Sequence, residues 1–189
     1  MIIRPGYVVG DSKTAVTNTD DFLFRLIKGS AQLGLIPDMN NTINMVPVDH
    51  VARVTSLAGL AAIQSPENHQ THAAVFHVTS HPTIRYNEFL GALIEYGWNV
   101  RPVEYLEWRT ALENHVLASA AAGNTGLDAD SNALFPLLHF VLDDLPTSTK
   151  SPELNDANTT KLLTEAHELD VVRGVDAVSY THLTLPTKA

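Results

Sequence analysis

Three times between Ile43 and Val116, a short run of apolar, largely β-branched residues gives way to a stripe of apolar side chains at helical spacing. That alternation is the rhythm of an α/β domain built on parallel strands. Residues 43–48 read as the first such strand, and Asp49 is expected to cap a helix whose Val51, Val54, Ala58 and Ala61 share one face until Pro66. Residues 73–78 form the second β-type run. A helix over 86–96 follows it, with Phe89, Leu90, Leu93 and Ile94 inward and Gly97 at its end. Residues 100–106 are a weaker strand, before a stripe of Trp108, Ala111, Leu112, His115 and Val116.

The flanking segments fit the same plan. Ile2 and Ile3, followed by Arg4, Pro5 and Gly6, read as the last residues of a buried strand running into a loop, because Pro and Gly end ladders. A strand met halfway along is the mark of a piece of a longer domain, and such a piece is expected to be marginally stable and prone to aggregate. A helix of about ten residues is predicted next. Thr19 is its N-cap, Asp20 and Asp21 lie at its positive end, Phe22, Leu23, Leu26 and Ile27 line one face, and Lys28 and Gly29 close it.

Beyond Trp108 the pattern turns helical. Residues 118–130 are small, polar and Gly-containing, and are expected to be a loop. Leu134, Leu137, Leu138, Val141, Leu142 and Leu145 make a further stripe stopped by Pro146, and Leu162, Leu163, Ala166 and Leu169 mark a final helix. Residues 177–189 resemble nothing before them and are expected to be a non-native tail.

Composition narrows the partners. Asp and Glu outnumber Lys and Arg by 21 to 12, for a net charge of -9, and no basic cluster could track phosphates, so nucleic acid and anionic membranes are not expected partners. The absence of cysteine excludes disulfides, thiolate metal sites and a cysteine nucleophile, and it matches a reducing, cytoplasmic setting. No apolar run approaches the ~20 residues of a membrane-spanning helix.

Catalytic motifs are missing where they would be needed. A Rossmann dinucleotide site uses a Gly-rich turn at a helix N-terminus; here Gly6 and Gly10 are four apart without a third. A Tyr-x-x-x-Lys pair would put an ammonium one helical turn from a phenol, but Asp11, Leu90, Val100, Arg109 and Thr184 stand four places after the tyrosines. Catalytic residues are therefore expected to be none in this chain. His69, His72, His77 and His81 are the densest group of the nine histidines, yet no metal-binding frame such as HExxH contains them, and no metal is expected. Ser12, His50 and Asp49 offer the residue types of a hydrolase triad without its Gly-x-Ser-x-Gly elbow.

Several longer strings are more specific. They are Arg4-Pro5-Gly6-Tyr7-Val8, Gly10-Asp11-Ser12-Lys13-Thr14, Asn18-Thr19-Asp20-Asp21-Phe22, and residues 44–53 from Asn44 through Pro47, Asp49 and His50 to Arg53. Later come His81-Pro82, Asn87-Glu88, Val103-Glu104-Tyr105-Leu106-Glu107-Trp108-Arg109, Thr149-Lys150 and Pro152-Glu153-Leu154. Through them residues 2–176 resemble the C-terminal part of the reductase domain of the fungal L-2-aminoadipate reductase family. The resemblance implies an incomplete Rossmann-like, extended short-chain dehydrogenase/reductase fold: the C-terminal half of an α/β domain, with a largely helical substrate cap.

It also implies a reaction, in which NADPH gives hydride to an aminoacyl thioester carried on a phosphopantetheine arm and an aldehyde is released. On that likeness residues 1–176 are one reductase segment. Pro5, Gly6, Tyr7 and Val8 are its cofactor-side positions, and Gly10 and Asp11 border the substrate. The partner is the carrier domain that bears the arm. A non-catalytic module that docks the carrier or its arm is the alternative, and the Gly-rich turn and Tyr/Lys pair of the family lie outside this chain.

Overall fold

The computed structural model describes residues 1–64, 73–121, 131–143, 145 and 153–166. The chain divides into two compact units, the first made of Met1–Thr17, Asn44–Thr83 and Pro152–Asp176, the second of Asn18–Ile43, Ile84–Ser151 and Ala177–Ala189.

In the first unit, β1 (Ile2–Pro5) pairs in parallel with β6 (Val75–Val78), and β2 (Tyr7–Val9) pairs in parallel with β5 (Met45–Pro47). β5 leads directly into α2 (Val48–Gln64), which packs against α6 (Ala157–Glu165). Their facing apolar stripes, with the strands beneath, build one core of Val46, Val54, Ala58, Val78, Leu162 and Leu163. Thr159 on α6 donates its hydroxyl to the His77 carbonyl at 2.7 Å, and the Asn158 amide donates to the Val75 carbonyl at 2.8 Å, so α6 is fastened to β6 by polar bonds as well as by burial.

The second unit holds α1 (Phe22–Leu33), β3 (Leu35–Asp38), β4 (Thr42–Ile43), β7 (Ile84–Arg85), α3 (Tyr86–Glu95), β8 (Arg101–Glu104), α4 (Tyr105–Ala121), a 3₁₀ turn (Phe135–Leu137) and α5 (Leu138–Asp143). β3 and β8 run parallel while β4 and β7 run antiparallel. The first of these pairs is flanked by α1, α3 and α4. Leu26, Ile27, Phe89, Leu93, Trp108 and Leu112 are fully buried in this unit. It is thus helical with two short strand pairs: among the described residues every element after 108 is helical, as the sequence predicts, whereas the strand at 35–38 is not predicted.

Several boundaries move. β1 does end at Pro5, as expected, but it is largely exposed and not buried, and after Gly6 comes a second strand, β2, on a different partner and not a loop. The segment expected as one strand over 43–48 is two, because β4 ends at Ile43 and β5 starts at Met45, in different units. Asp21, not Thr19, caps α1, its carboxylate accepting the Phe24 N–H at 2.8 Å. The helix then runs through Gly29 to Leu33, with Gly34 in the left-handed conformation at its end. Gly29 is required for another reason: a Cβ there would lie 2.6 Å from Asn132 Oδ1 and 2.7 Å from Leu134 Cγ. α4 continues to Ala121, into the predicted loop, and the leucine stripe begins as a 3₁₀ turn with Pro136 near its start. The remainder of that loop, Pro146, Leu169 and the tail over 177–189 lie outside the described residues. No helix among the described residues is long and apolar enough to cross a membrane.

Candidate functional site

At Gly6 the chain changes neighbours within one peptide. The Gly6 N–H donates to the Val78 carbonyl at 3.0 Å, on the β6 side, and the next N–H, of Tyr7, donates to the Asn44 carbonyl at 2.7 Å, just before β5. Successive amides of an extended chain point to opposite sides, so the segment is flanked by β6 on one side and by β5 on the other. Parallel register puts Pro5 beside Val78 and Val9 beside Pro47. The carboxyl ends of β1 and β6 therefore lie level, at the Gly6 edge, and those of β2 and β5 lie level four residues further on; carboxyl ends of parallel strands are where open α/β sheets bind ligands.

Asn44 holds this edge together. Besides accepting from Tyr7 through its backbone, it accepts the Ser80 N–H on its side-chain Oδ1 at 2.7 Å. A Cβ on Gly6 would come within 2.3 Å of the Asn44 carbonyl oxygen and 2.6 Å of its Cγ. Glycine at position 6 is thus demanded by close packing. Tyr7 and Val8 next to it are 37% and 44% exposed, which gives the edge an accessible apolar surface.

The segment from Gly10 to Thr17 closes on itself. Asp11 N–H donates to the Val16 carbonyl at 3.1 Å, Ala15 N–H donates back to the Asp11 carbonyl at 2.9 Å, and Ala15 takes a left-handed φ of 65°. Asp11 Oδ1 accepts from the Lys13 and Thr14 amides and from the Thr14 hydroxyl. Those bonds, led by the Thr14 amide, hold its carboxyl below the ordinary value against a slight opposing desolvation. Gly10 is packed under the loop, where a Cβ would lie 2.9 Å from the Val16 carbonyl.

Asp49 is the second residue of α2, and it is not the cap that the sequence predicts. Its Oδ1 accepts the Ser12 N–H at 2.9 Å and its Oδ2 accepts the Ser12 hydroxyl at 2.7 Å. Desolvation is the largest single influence on its carboxyl and pushes upward, as does the nearby Asp11 charge. The bonds from the Ser12 amide, the Ser12 hydroxyl and its own amide together outweigh both, and the carboxyl is held below the ordinary value. The Ser12 proton is committed directly to this carboxylate, with no imidazole interposed, and His50 is buried at the following position. That is an anchoring contact between a loop and a helix, not the order of a hydrolase triad.

Of the histidine group, His69 and His72 lie outside the described residues. His77 Nδ1 lies 2.9 Å from the Asn155 carbonyl, and His81 Nε2 lies 2.7 Å from Asp156 Oδ2. Among the described residues no three His, Asp or Glu side chains group as metal ligands do. The sequence-predicted positions Pro5, Gly6, Tyr7, Val8, Gly10 and Asp11 all fall in the first unit. Asn44, Ser80 and Asp156 had no signal as site residues, because their partners stand 36 or more positions away.

Residues 1–55 match the family described as "Male sterility protein" (NAD_binding_4). L-2-aminoadipate reductase of Schizosaccharomyces pombe is 50% identical over 163 residues, which are 86% of this chain and 10% of that protein. The large subunit of L-2-aminoadipate reductase from Penicillium chrysogenum is 50% identical over 165 residues, 86% of this chain and 11% of that one. The chain thus spans about a tenth of the length of the curated relatives it matches. Among solved structures, the terminal R domain from the myxalamid PKS-NRPS biosynthetic pathway aligns with a TM-score of 0.69 at 23% identity, covering 96% of this chain and 42% of that one. A thiolation-reductase di-domain from an archaeal non-ribosomal peptide synthetase aligns with a TM-score of 0.57 at 16% identity, covering 96% of this chain and 35% of that one. By sequence the chain matches one segment of the fungal L-2-aminoadipate reductases, and by fold it is an incomplete Rossmann-like α/β unit similar to part of the solved reductase domains.

Proposed function

We propose that residues 1–176 are the C-terminal, substrate-side part of a reductase domain that releases a carrier-bound aminoadipyl thioester as its semialdehyde, using NADPH, in cytoplasmic lysine biosynthesis. The observation that carries this is the extent of the likeness to the S. pombe enzyme, 50% identity across 86% of the chain. That reach includes the helices beyond the residues matched by the nicotinamide-binding family.

Pro5, Gly6, Tyr7 and Val8 take the cofactor side. The fit rests on the place of Gly6 and Tyr7 just past the carboxyl ends of the parallel β1 and β6, where open α/β sheets bind ligands, and on the partial exposure of Tyr7 and Val8. Gly10 and Asp11 border the thioester, on a loop held rigid by the Ser12–Asp49 bonds. The partner is the carrier domain, whose phosphopantetheine arm delivers the acyl group.

When bound, NADPH supplies the hydride. That chemistry would reduce the thioester carbonyl to the aldehyde, with the carbon–sulfur bond broken and the departing thiolate taking a proton from solvent. This chain's own residues orient the two reactants and exclude water from one wall. The sequence has neither the Gly-rich turn nor a Tyr-x-x-x-Lys pair, so residues 1–176 alone are expected to orient without turning over.

A fusion tests this. The upstream half of the S. pombe reductase domain, joined to residues 1–176, is expected to consume NADPH with S-aminoadipyl-pantetheine, whereas residues 1–189 alone are not. A fusion that melts cooperatively yet shows no turnover would remove the assignment.

A further inference from the structure

The carboxamide of Asn44 lies across two chain ends that the parallel register brings level. β1 and β6 finish together, at Pro5 and Val78. Just past them, Asn44 Oδ1 accepts the Ser80 N–H at 2.7 Å. Its Cγ and Nδ2 rest on Gly6, where a Cβ would lie 2.6 and 2.7 Å from them, and its backbone carbonyl accepts the Tyr7 N–H at 2.7 Å. One residue from a third segment thus touches the chain beyond both strands, at the carboxyl ends where open α/β sheets bind ligands.

The bond to Ser80 fixes which way the carboxamide points. A backbone N–H only donates, so the atom it meets is the oxygen, and the NH₂ is the group laid against Gly6. No described residue accepts from Nδ2, and Nδ2 is not among the unpartnered side-chain atoms sealed from solvent. Asn44 itself is half-buried. Its NH₂ is therefore a donor held in one orientation and reachable from outside. The Ser80 bond accounts for the oxygen and leaves the nitrogen unused.

We propose that Asn44 is a further cofactor-binding residue, whose Nδ2 donates to the carbonyl oxygen of the nicotinamide carboxamide while the Ser80 N–H holds the side chain in position. This rests on the reductase assignment above, which puts the nicotinamide beside Gly6 and Tyr7.

Two probes test it: NADPH, and its thionicotinamide analogue, in which sulfur replaces the carboxamide oxygen and accepts hydrogen bonds poorly. Each is titrated into the full 189-residue chain while the Tyr7 backbone and Asn44 side-chain amide signals are followed by NMR. NADPH is expected to shift both signals and to bind roughly threefold to tenfold more tightly than the analogue. Asn44→Asp keeps the acceptor for Ser80 and loses the NH₂; Asn44→Ala loses both. Both variants are expected to bind the two cofactors equally, whereas only Asn44→Ala lowers the melting temperature. An Asn44→Asp variant that still prefers NADPH to the original extent shows the side chain to be only a tie to Ser80 and overturns the proposal. So does NADPH that shifts Tyr7 but not the Asn44 NH₂, or S-acetylpantetheine that shifts that NH₂ when NADPH does not; the reductase assignment stands in either case. If NADPH shifts neither signal, the cofactor side of that assignment falls with the proposal.

Discussion

Ser12 gives both of its hydrogens, amide and hydroxyl, to the two carboxylate oxygens of Asp49, 37 positions along the chain, at 2.9 and 2.7 Å. This single residue pair fixes the loop beyond β2 to the first turn of α2. Ser12→Ala is expected to cost about 1 kcal/mol in denaturant unfolding. It should also raise amide exchange across residues 11–16, where a merely decorative contact would leave exchange untouched.

The same pair sets an acid limit. The Asp49 and Asp11 carboxyls are held below their ordinary value in the folded chain. The stability they contribute is present above the unfolded-state value and is lost as pH falls through the lower, folded-state one. Asp21 runs the other way: desolvation at the start of α1 outweighs the bonds it accepts from the Phe24 and Leu23 amides and raises its carboxyl, so protonating it relieves a cost. Asp49→Asn is therefore expected to flatten the loss of stability below about pH 4, and Asp21→Asn to remove the opposing trend. Melting temperature against pH for both variants checks the two signs.

Gly6→Ala is expected to destabilise the first unit by about 1–3 kcal/mol, as overpacking does. The new methyl meets the Asn44 backbone oxygen as well as its side chain, so adding Asn44→Ala should not rescue it. A double variant as stable as the Asn44→Ala single one would disprove that account.

Ala15 holds a left-handed φ of 65°, which an L residue adopts at a cost of roughly 1–2 kcal/mol. Replacing it by Gly relieves that strain and loses some of the gain to the greater freedom of the unfolded chain. A net stabilisation of about 0.5–1 kcal/mol is expected from chemical denaturation.

In the second unit, Gly29→Ala should cost about 1–3 kcal/mol, since the methyl meets Asn132 Oδ1 and Leu134 Cγ. Because Leu134 is a side-chain obstacle, Leu134→Ala should make the same change cheaper, and a double-mutant cycle measures the coupling.

How much of this could be read from residues alone varied with the distance over which each feature is determined. β6 and α3, the latter followed by a left-handed Gly97, were legible because periodicity and a terminal glycine are local signals. α1 was legible as a helix but not in its ends: Thr19, Asp20 and Asp21 are all competent caps, and only packing chose Asp21. β2 was hidden by Pro5-Gly6, which reads as a stop unless it is known that the Gly6 and Tyr7 amides have partners on both sides. β3 was hidden by Gly34 and Pro37, although Pro37 sits in register with Val103. At the site, Gly6, Tyr7 and Val8 stood out as a string, whereas the Ser12–Asp49 bond and the Asp156 bond to His81 join distant segments and leave no local trace.

The change of neighbours at Gly6 has a mechanical meaning. A strand paired with one neighbour can slip by two residues and keep its side chains on the right faces. Here consecutive amides are committed to different partners, so slippage against either would break the bonds to both. Gly6 therefore acts as a fixed pin between two ribbons, keeping Tyr7 and the loop after Val78 at a constant offset, so that a ligand touching both meets a gauge set by the backbone rather than by the side chains.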